Sequence, residues 1–298
     1  MARDAVLGSE LTPLSSCPVC ESRARDPWVH FDALHFDRCS GCGTVYRSFE
    51  LPSVQTSGLY EAPYHTGKRS RRWAHRVRKA KNQIRSAMHF GDCRSILDVG
   101  CSVGYIVEAG SQLKLRSAGM DVSEFAVKTV KERGLDARVG TLERMPFEAG
   151  EFDLVMMRHV LEHTPTPIEA LQEVRRVLSP RGLVMLMVPD LSYWKGQWLR
   201  RTYRYFRPDD LGRQHFVYYH QASMTRLLRD QGFEILARGK GHYRSIENQS
   251  GVARIGSAIL DAVFRGVFSF ASLVRMRREL YFIARKCELP APASTEPS

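Results

Sequence analysis

Arg94-Ser-Ile-Leu-Asp-Val-Gly-Cys-Ser-Val-Gly104 is the stretch that decides the fold of this chain. Ile96 to Val99 reads as a short apolar strand, Gly100 to Gly104 as a turn with little side-chain bulk, and Tyr105 to Leu113 as a helix start. A strand, a glycine loop and a helix in that order bring backbone N–H groups close to a ligand at the strand's carboxyl end. Seventeen residues after Gly104 comes Gly119-Met-Asp121-Val-Ser, an acid ending a second short strand. An acid there can accept both ribose hydroxyls of a nucleoside. The pattern predicts a nucleoside-cofactor site, with NAD as the rival ligand. A dinucleotide fold asks for G-x-G-x-x-G, whereas Gly100 and Gly104 stand in G-x-x-x-G spacing.

Outward from this stretch, 298 residues suffice for one large α/β domain and a small appendage. With 43% hydrophobic and 26% charged residues, the composition excludes wholesale disorder. Met1 to Glu10 lacks the apolar core of a signal peptide. Ile259 to Val274 is interrupted by Asp261 and Arg265 and is too short to span a bilayer. The expected location is cytoplasmic. Residues 289–298, rich in Pro, Ala and Ser from Pro290 on, are expected to be disordered.

Four of the seven cysteines form two tight pairs, Cys17-Pro-Val-Cys20 and Cys39-Ser-Gly-Cys42, eighteen residues apart. This is a metal pattern rather than a disulfide framework. Each C-x-x-C turn puts two thiolates on one ion, and two turns complete the tetrahedral set that zinc prefers. Trp28-Val-His-Phe31 and Thr44-Val-Tyr-Arg47 read as short strands of a zinc ribbon over residues 1–50. No open coordination position is evident, so the predicted Zn2+ is structural. A module of that size needs such a staple.

The net charge of +12 is uneven. Between Glu61 and Asp92 there is no acid, while Lys68, Arg69, Arg71, Arg72, Arg76, Arg78, Lys79, Lys81 and Arg85 are all basic. Apolar residues at Trp73, Val77, Ala80, Ile84 and Met88 predict an amphipathic helix over 69–88, within a connecting region 51–91. Its basic face is either solvated or in contact with an anionic partner: a phosphorylated sugar, RNA or a membrane surface. A second basic cluster runs through Lys195, Arg200, Arg201, Arg204, Arg207 and Arg213.

The ordered set of motifs resembles the class I S-adenosylmethionine-dependent methyltransferases. Ile96-Leu-Asp-Val-Gly-Cys-Ser-Val-Gly104 is similar to their first motif, and Asp121 to the acid after their second strand. Gly140-Thr-Leu-Glu-Arg-Met-Pro-Phe147 is similar to the loop after strand three, with Thr141 where an acid often contacts adenine, so a hydroxyl or the Leu142 amide would serve. Phe152-Asp-Leu-Val-Met-Met-Arg-His-Val-Leu-Glu-His163 resembles the fourth-strand motif of a small-molecule branch. Ala170 to Val188 would be the fifth helix and strand, with Leu178-Ser-Pro-Arg-Gly182 at the turn. His215-Phe-Val-Tyr-Tyr and Leu227 to Ile235 resemble the acceptor-side segment and sixth strand, and Glu279 to Lys286 the closing strand.

The resemblance implies a Rossmann-like seven-stranded α/β sheet flanked by helices over residues 92–288, behind the small zinc ribbon. An acceptor-side insertion would occupy 190–220 and an apolar helical insertion 246–277. It implies S-adenosylmethionine as cofactor, held by Asp98, Gly100, Cys101, Ser102, Gly104, Asp121, Val122, Thr141, Leu142 and His159. Cys101 reads as a small filler rather than a nucleophile.

Methyl transfer from a sulfonium is an in-line displacement with an activated leaving group, so the protein mainly aligns the acceptor and excludes water. A hydroxyl acceptor needs a base, and His159, His163 and His215 are the candidates. Each also has a structural reading: packing, capping or a backbone bond. Tyr193 to Phe206 interleaves aromatics with cations and would overhang the site, as a clamp, a lid or an ordinary helix. Ile255 to Leu273 is apolar on more than one face and suits core or subunit packing, or peripheral membrane contact.

The favoured activity is methylation of a small-molecule hydroxyl in a saccharide, lipid or secondary metabolite, with an anionic or lipid- or sugar-linked acceptor in view. An RNA methyltransferase is the alternative, since a zinc ribbon and a basic face suit RNA. Against it, Met156-Met-Arg-His159 lacks an N/D-P-P-Y motif, and no Pro-Cys pair offers a nucleophile. A non-catalytic adaptor is a third reading, disfavoured by Asp98, Gly100, Gly104 and Asp121 occurring together.

Overall fold

The computed structural model describes residues 13–31, 34–49, 73–191, 215–240 and 279–287. The strands are β1 (Arg25–Phe31), β2 (Leu34–Cys39), β3 (Val45–Arg47), β4 (Ser95–Val99), β5 (Arg116–Asp121), β6 (Asp136–Val139), β7 (Phe152–Arg158), β8 (Leu178–Pro189), β9 (Val217–Tyr218), β10 (Phe233–Lys240) and β11 (Glu279–Lys286). The helices are α1 (Trp73–Met88), α2 (Tyr105–Gln112), α3 (Glu124–Lys131), α4 (Pro167–Val177) and α5 (Gln221–Asp230). The segments 193–206, 246–277 and 289–298, and the second basic cluster up to Arg213, lie outside the described residues, as do Lys68 to Arg72.

Central strands buried on both faces should be mostly apolar, and β4 and β7 are, interrupted inside the strands only by Asp98 and Asp153. Leu97, Val99, Val155 and Met157 face one way, onto Leu171 and Val174 of α4 and Leu227 and Leu228 of α5. Ile96, Leu154 and Met156 face the other way, onto Val77, Ala80 and Ile84 of α1 and Ile106 and Ala109 of α2. Each such side chain contributes about 1.5–3 kcal/mol by leaving water, which outweighs the weak propensity of helices this short. The apolar stripe expected on α1 is therefore a core layer. Met88, at its last residue, is exposed instead.

Local signals set the helix starts. Ser123 caps α3 by accepting the Ala126 N–H at 3.3 Å. His220 and Ser223 form a reciprocal capping box on α5. Pro167 opens α4, where its missing N–H costs nothing.

The large sheet has the order β10-β11-β8-β7-β4-β5-β6. It is parallel except at β11, which runs antiparallel to both β8 and β10. This is the α/β class I methyltransferase architecture that the sequence resemblance implies. The chain leaves β4 toward β5 and β6, then returns to β7 on the other side of β4. That reversal opens a crevice at the carboxyl ends of β4 and β7, where ligands of open α/β sheets bind.

A second, antiparallel sheet has the order β1-β2-β3-β9. Its edge strand β9 comes from the segment that begins at His215, with Val45 opposite Tyr218 and Tyr46 opposite Val217. The four-cysteine module and the segment that begins at His215 thus share a sheet, and Arg47 Nε donates to the His215 carbonyl at 3.1 Å. Among the described residues no helix is long and apolar enough to cross a membrane.

Candidate functional site

The loop after β4 is held by its backbone. Gly100 and Gly104 have φ of +71° and +84°, a region open to glycine and costly for other residues. A Cβ on Gly100 would lie 2.5 Å from Val160 Cγ2, and one on Gly104 would lie 2.8 Å from Val130 Cγ2. Much of the loop's donor capacity is spent inside the protein. The Gly100 and Cys101 N–H groups both donate to the Met120 carbonyl, at 2.8 and 2.9 Å, and the Gly104 N–H to the Cys101 carbonyl at 2.9 Å. The N–H groups of these three residues are thus committed to backbone carbonyls of the loop and of β5. The loop offers close approach instead. The Cys101 side chain packs under Gly119, 2.7 Å from where a Cβ there would stand, and burial pushes its thiol well up. It is a filler.

Asp121 ends β5 at the same sheet edge. Its Oδ2 accepts the Ser102 N–H at 2.8 Å and its Oδ1 the Ser123 N–H at 3.0 Å. The next residue, Val122, is 52% exposed, an apolar side chain left in solvent beside the crevice. The Gly140 N–H donates to the Asp121 carbonyl at 3.1 Å, which brings the loop carrying Thr141 and Leu142 alongside. Asp98 lies within β4, fully buried. Burial first and the Asp121 charge second push its carboxyl well above the usual range, against an opposing pull from Arg158.

On the β7 side, Arg158 donates to the Tyr105 hydroxyl at 2.9 Å, and Arg76 sits over the Tyr105 ring at 5.9 Å. Lys79 joins them; burial and Arg158 lower its pKa while Glu279 raises it. His159 follows with φ +56°, its Nδ1 3.3 Å from Glu162 Oε1 and its Nε2 3.2 Å from Glu279 Oε1. Burial alone would lower the His159 pKa, but the two carboxylates outweigh it and raise it to about 9.

The turn Leu161–His163 brings Glu162 inward to 0% exposure. His215 is 4% exposed, its ring 4.7 Å from that of His163 and at 70° to it. Burial first, then the His163 charge, lowers the His215 pKa to about 3. The Phe216 N–H donates to the Glu162 carbonyl at 2.8 Å and so fastens the two segments together. The structure therefore gathers all three histidines expected as catalytic around one carboxylate. It places Gly100, Ser102, Gly104, Asp121 and Val122 at the adjoining sheet edge, with Asp98 buried behind them in β4.

Sequence reasoning missed Glu162, Tyr105 and Arg158 as parts of this site. A carboxylate between two histidines in His159-Val-Leu-Glu-His163 was the available signal for Glu162. Tyr105 and Arg158 carried none, because their contact joins the start of α2 to the end of β7, 53 residues apart in sequence.

The four cysteines of the N-terminal module converge as free thiols, one ligand atom from each lying within 4.8 Å of the others. Cys17 Sγ is 3.7 Å from Cys42 Sγ, and Cys20 Sγ is 3.5 Å from Cys39 Sγ. Four sulfurs around a tetrahedral zinc with bonds of about 2.3 Å stand about 3.8 Å apart. The cluster is compatible with a zinc ribbon.

A family model described as a methyltransferase domain matches residues 65–238. A protein of Mycolicibacterium smegmatis, named a probable S-adenosylmethionine-dependent methyltransferase, is 29% identical over 144 residues, 48% of this chain and 52% of its own. A ubiquinone biosynthesis O-methyltransferase of Caulobacter vibrioides is 34% identical over 99 residues, 31% of this chain and 39% of its own. The chain thus spans about half the length, or less, of these curated relatives. Among solved structures, a protein of Pyrococcus horikoshii is similar with a TM-score of 0.50 at 17% identity, covering 75% of this chain and 95% of that one. That likeness is one of fold.

Proposed function

The chain belongs to the methyltransferase-domain family, and from that premise we propose that it transfers a methyl group from S-adenosylmethionine to an oxygen of an anionic small-molecule acceptor. The observation that carries this reading is the meeting of two features at one sheet edge. The glycine loop, Asp121 and exposed Val122 fit a nucleoside, and the histidine–carboxylate group of Glu162, His163 and His215 adjoins them through Val160.

In this reading Asp121 takes the ribose hydroxyls, Val122 lies along one face of the adenine, and Thr141 and Leu142 address its edge. Gly100 to Gly104 let the cofactor lie against the backbone, with Ser102 positioned by Asp121. S-adenosylmethionine supplies the methyl group as an activated sulfonium, so alignment and exclusion of water are what the chain must add. Both ring nitrogens of His159 face carboxylates, which makes it an orienting group rather than the base. Activation of the acceptor oxygen falls to the Glu162, His163 and His215 group.

The cations favour an anionic acceptor over RNA. Arg76 and Lys79, on the basic helix α1, turn toward Tyr105, Arg158 and Glu279 rather than outward. Cys17, Cys20, Cys39 and Cys42 hold one structural zinc, whose role is to support the sheet that β9 completes.

Transfer of a labelled methyl from S-adenosylmethionine, scored on a panel of phosphorylated and carboxylated hydroxyl compounds beside bulk RNA, tests the proposal. Labelled small molecules are expected. Label confined to RNA would replace the acceptor class, and label in neither, with no cofactor consumed, would count against the activity.

A further inference from the structure

We infer that Glu162, His163 and His215 form a second metal centre, one that binds a divalent transition-metal ion and presents it to the acceptor oxygen. The role of the ion rests on the methyltransferase reading; the centre itself rests on geometry alone.

One ligand atom from each of the three residues lies within 4.8 Å of the other two, so small side-chain rotations bring all three onto one ion with bonds near 2.1 Å. The Glu162 carboxylate is fully buried. Its Oε1 faces His159, while its Oε2 has no hydrogen-bond partner among the described residues. A buried carboxylate oxygen left so is costly, and a bound cation offsets that cost.

The scaffold is rigid where a centre needs it. The Phe216 N–H to Glu162 carbonyl bond locks the two ligand segments together, and Arg47 holds the His215 carbonyl from the opposite side. His159 already has the place of an outer partner that orients the ligand carboxylate.

Two imidazoles and one carboxylate suit Zn2+, Mn2+ or Fe2+ and do not suit Mg2+ or Ca2+, which prefer all-oxygen sets. Three protein ligands leave coordination positions for an incoming oxygen. Val160, next but one to Glu162, rests against Gly100 of the cofactor loop, so the ion and the methyl donor adjoin. A hydroxyl bound there loses its proton to solvent more readily. Its oxygen lone pair then forms the O–CH3 bond as the S–CH3 bond breaks, and the S–C electron pair stays on sulfur as a neutral thioether. No oxidant or reductant enters.

The centre is distinct from the cysteine cluster, and Mn2+ separates them, because four thiolates select zinc while an N/O set accepts manganese. The full chain, loaded with one zinc per molecule, is titrated with Mn2+ while free Mn2+ is followed by electron paramagnetic resonance. One Mn2+ per chain is expected, with affinity reduced about tenfold or more in Glu162→Gln and in His163→Asn. The second variant, at a half-buried position, covers failure of the first to fold; circular dichroism and S-adenosylhomocysteine binding verify both. Absence of Mn2+ binding in the wild-type chain, or equal binding in both folded variants, overturns the centre. Mn2+ binding without S-adenosylhomocysteine binding would uphold the centre and count against the methyltransferase reading instead.

Discussion

Asp121 and Ser102 are joined by a hydrogen bond of 2.8 Å, from the Ser102 backbone N–H to the Asp121 carboxylate, across the ends of two neighbouring parallel strands. The acid that would meet the ribose thus also fixes the loop that would receive the rest of the cofactor. Replacement by Asn puts an amide N–H where Oδ2 now accepts, or costs the Ser123 contact if the amide is reversed. Asp121→Asn is therefore expected to destabilise the ligand-free protein by about 1–3 kcal/mol. Denaturant unfolding without cofactor checks this. No change in midpoint would mean that the carboxylate does not hold the loop.

Gly100 is constrained twice, by its φ of +71° and by Val160 Cγ2 at 2.5 Å from a Cβ position. Gly100→Ala should cost about 1–2 kcal/mol from the backbone alone, with an added steric cost. Adding Val160→Ala should remove only the steric part, so the double variant recovers some stability over Gly100→Ala. Thermal unfolding of the two would show it; full recovery would mean that the backbone is not strained by a side chain.

Much of this was legible beforehand because it is local. The strand–loop–helix unit from Ile96 to Leu113 needs only neighbouring residues, and the structure places β4 and α2 there. The paired cysteines declare themselves by spacing in the same way. What joins them to the rest is not local. Val217 and Tyr218 pair with β3 across about 170 residues, and nothing in their own segment names that partner strand. The commitment of loop N–H groups to Met120 was hidden too, because a glycine loop looks the same whether its donors face inward or outward. Glu162 was read as part of a family motif and not as a buried charge, since burial of an acid depends on the segment at His215.

Asp153 ties three strand ends. Its Oδ2 accepts the Arg94 N–H, the Ser95 N–H and the Ser95 hydroxyl at 2.9, 3.1 and 2.9 Å, and its Oδ1 the Ser179 hydroxyl at 2.9 Å. Burial opposes ionisation, but these donors outweigh it and hold the carboxyl below the ordinary carboxylate range. A folded pKa below the unfolded one gives stability that is present above the unfolded value of about 3.9 and lost as pH falls through the folded value. Asp153→Asn should cost about 1–3 kcal/mol at neutral pH and progressively less below about pH 4. A constant difference across that window would show that the charge is not what binds the strands.

Zinc removal should reach the acceptor side. With β3 paired to β9 and Arg47 on the His215 carbonyl, a chelator that strips Cys17, Cys20, Cys39 and Cys42 loosens the support of His215. The expected result is acceptor turnover lost before S-adenosylhomocysteine affinity, since the crevice edge at Asp121 lies on the large sheet. Equal loss of both would point to collapse of the whole chain instead.

The central claim is that this crevice binds S-adenosylmethionine. Calorimetric titration of the zinc-loaded protein with S-adenosylmethionine and S-adenosylhomocysteine, beside a folded Asp121→Ala variant, tests it most directly. Saturable binding at one site per chain, weakened about tenfold or more by the substitution, is the predicted result, a change of about 1.4 kcal/mol. No heat of binding to a folded, zinc-loaded sample would contradict the account and favour an adaptor.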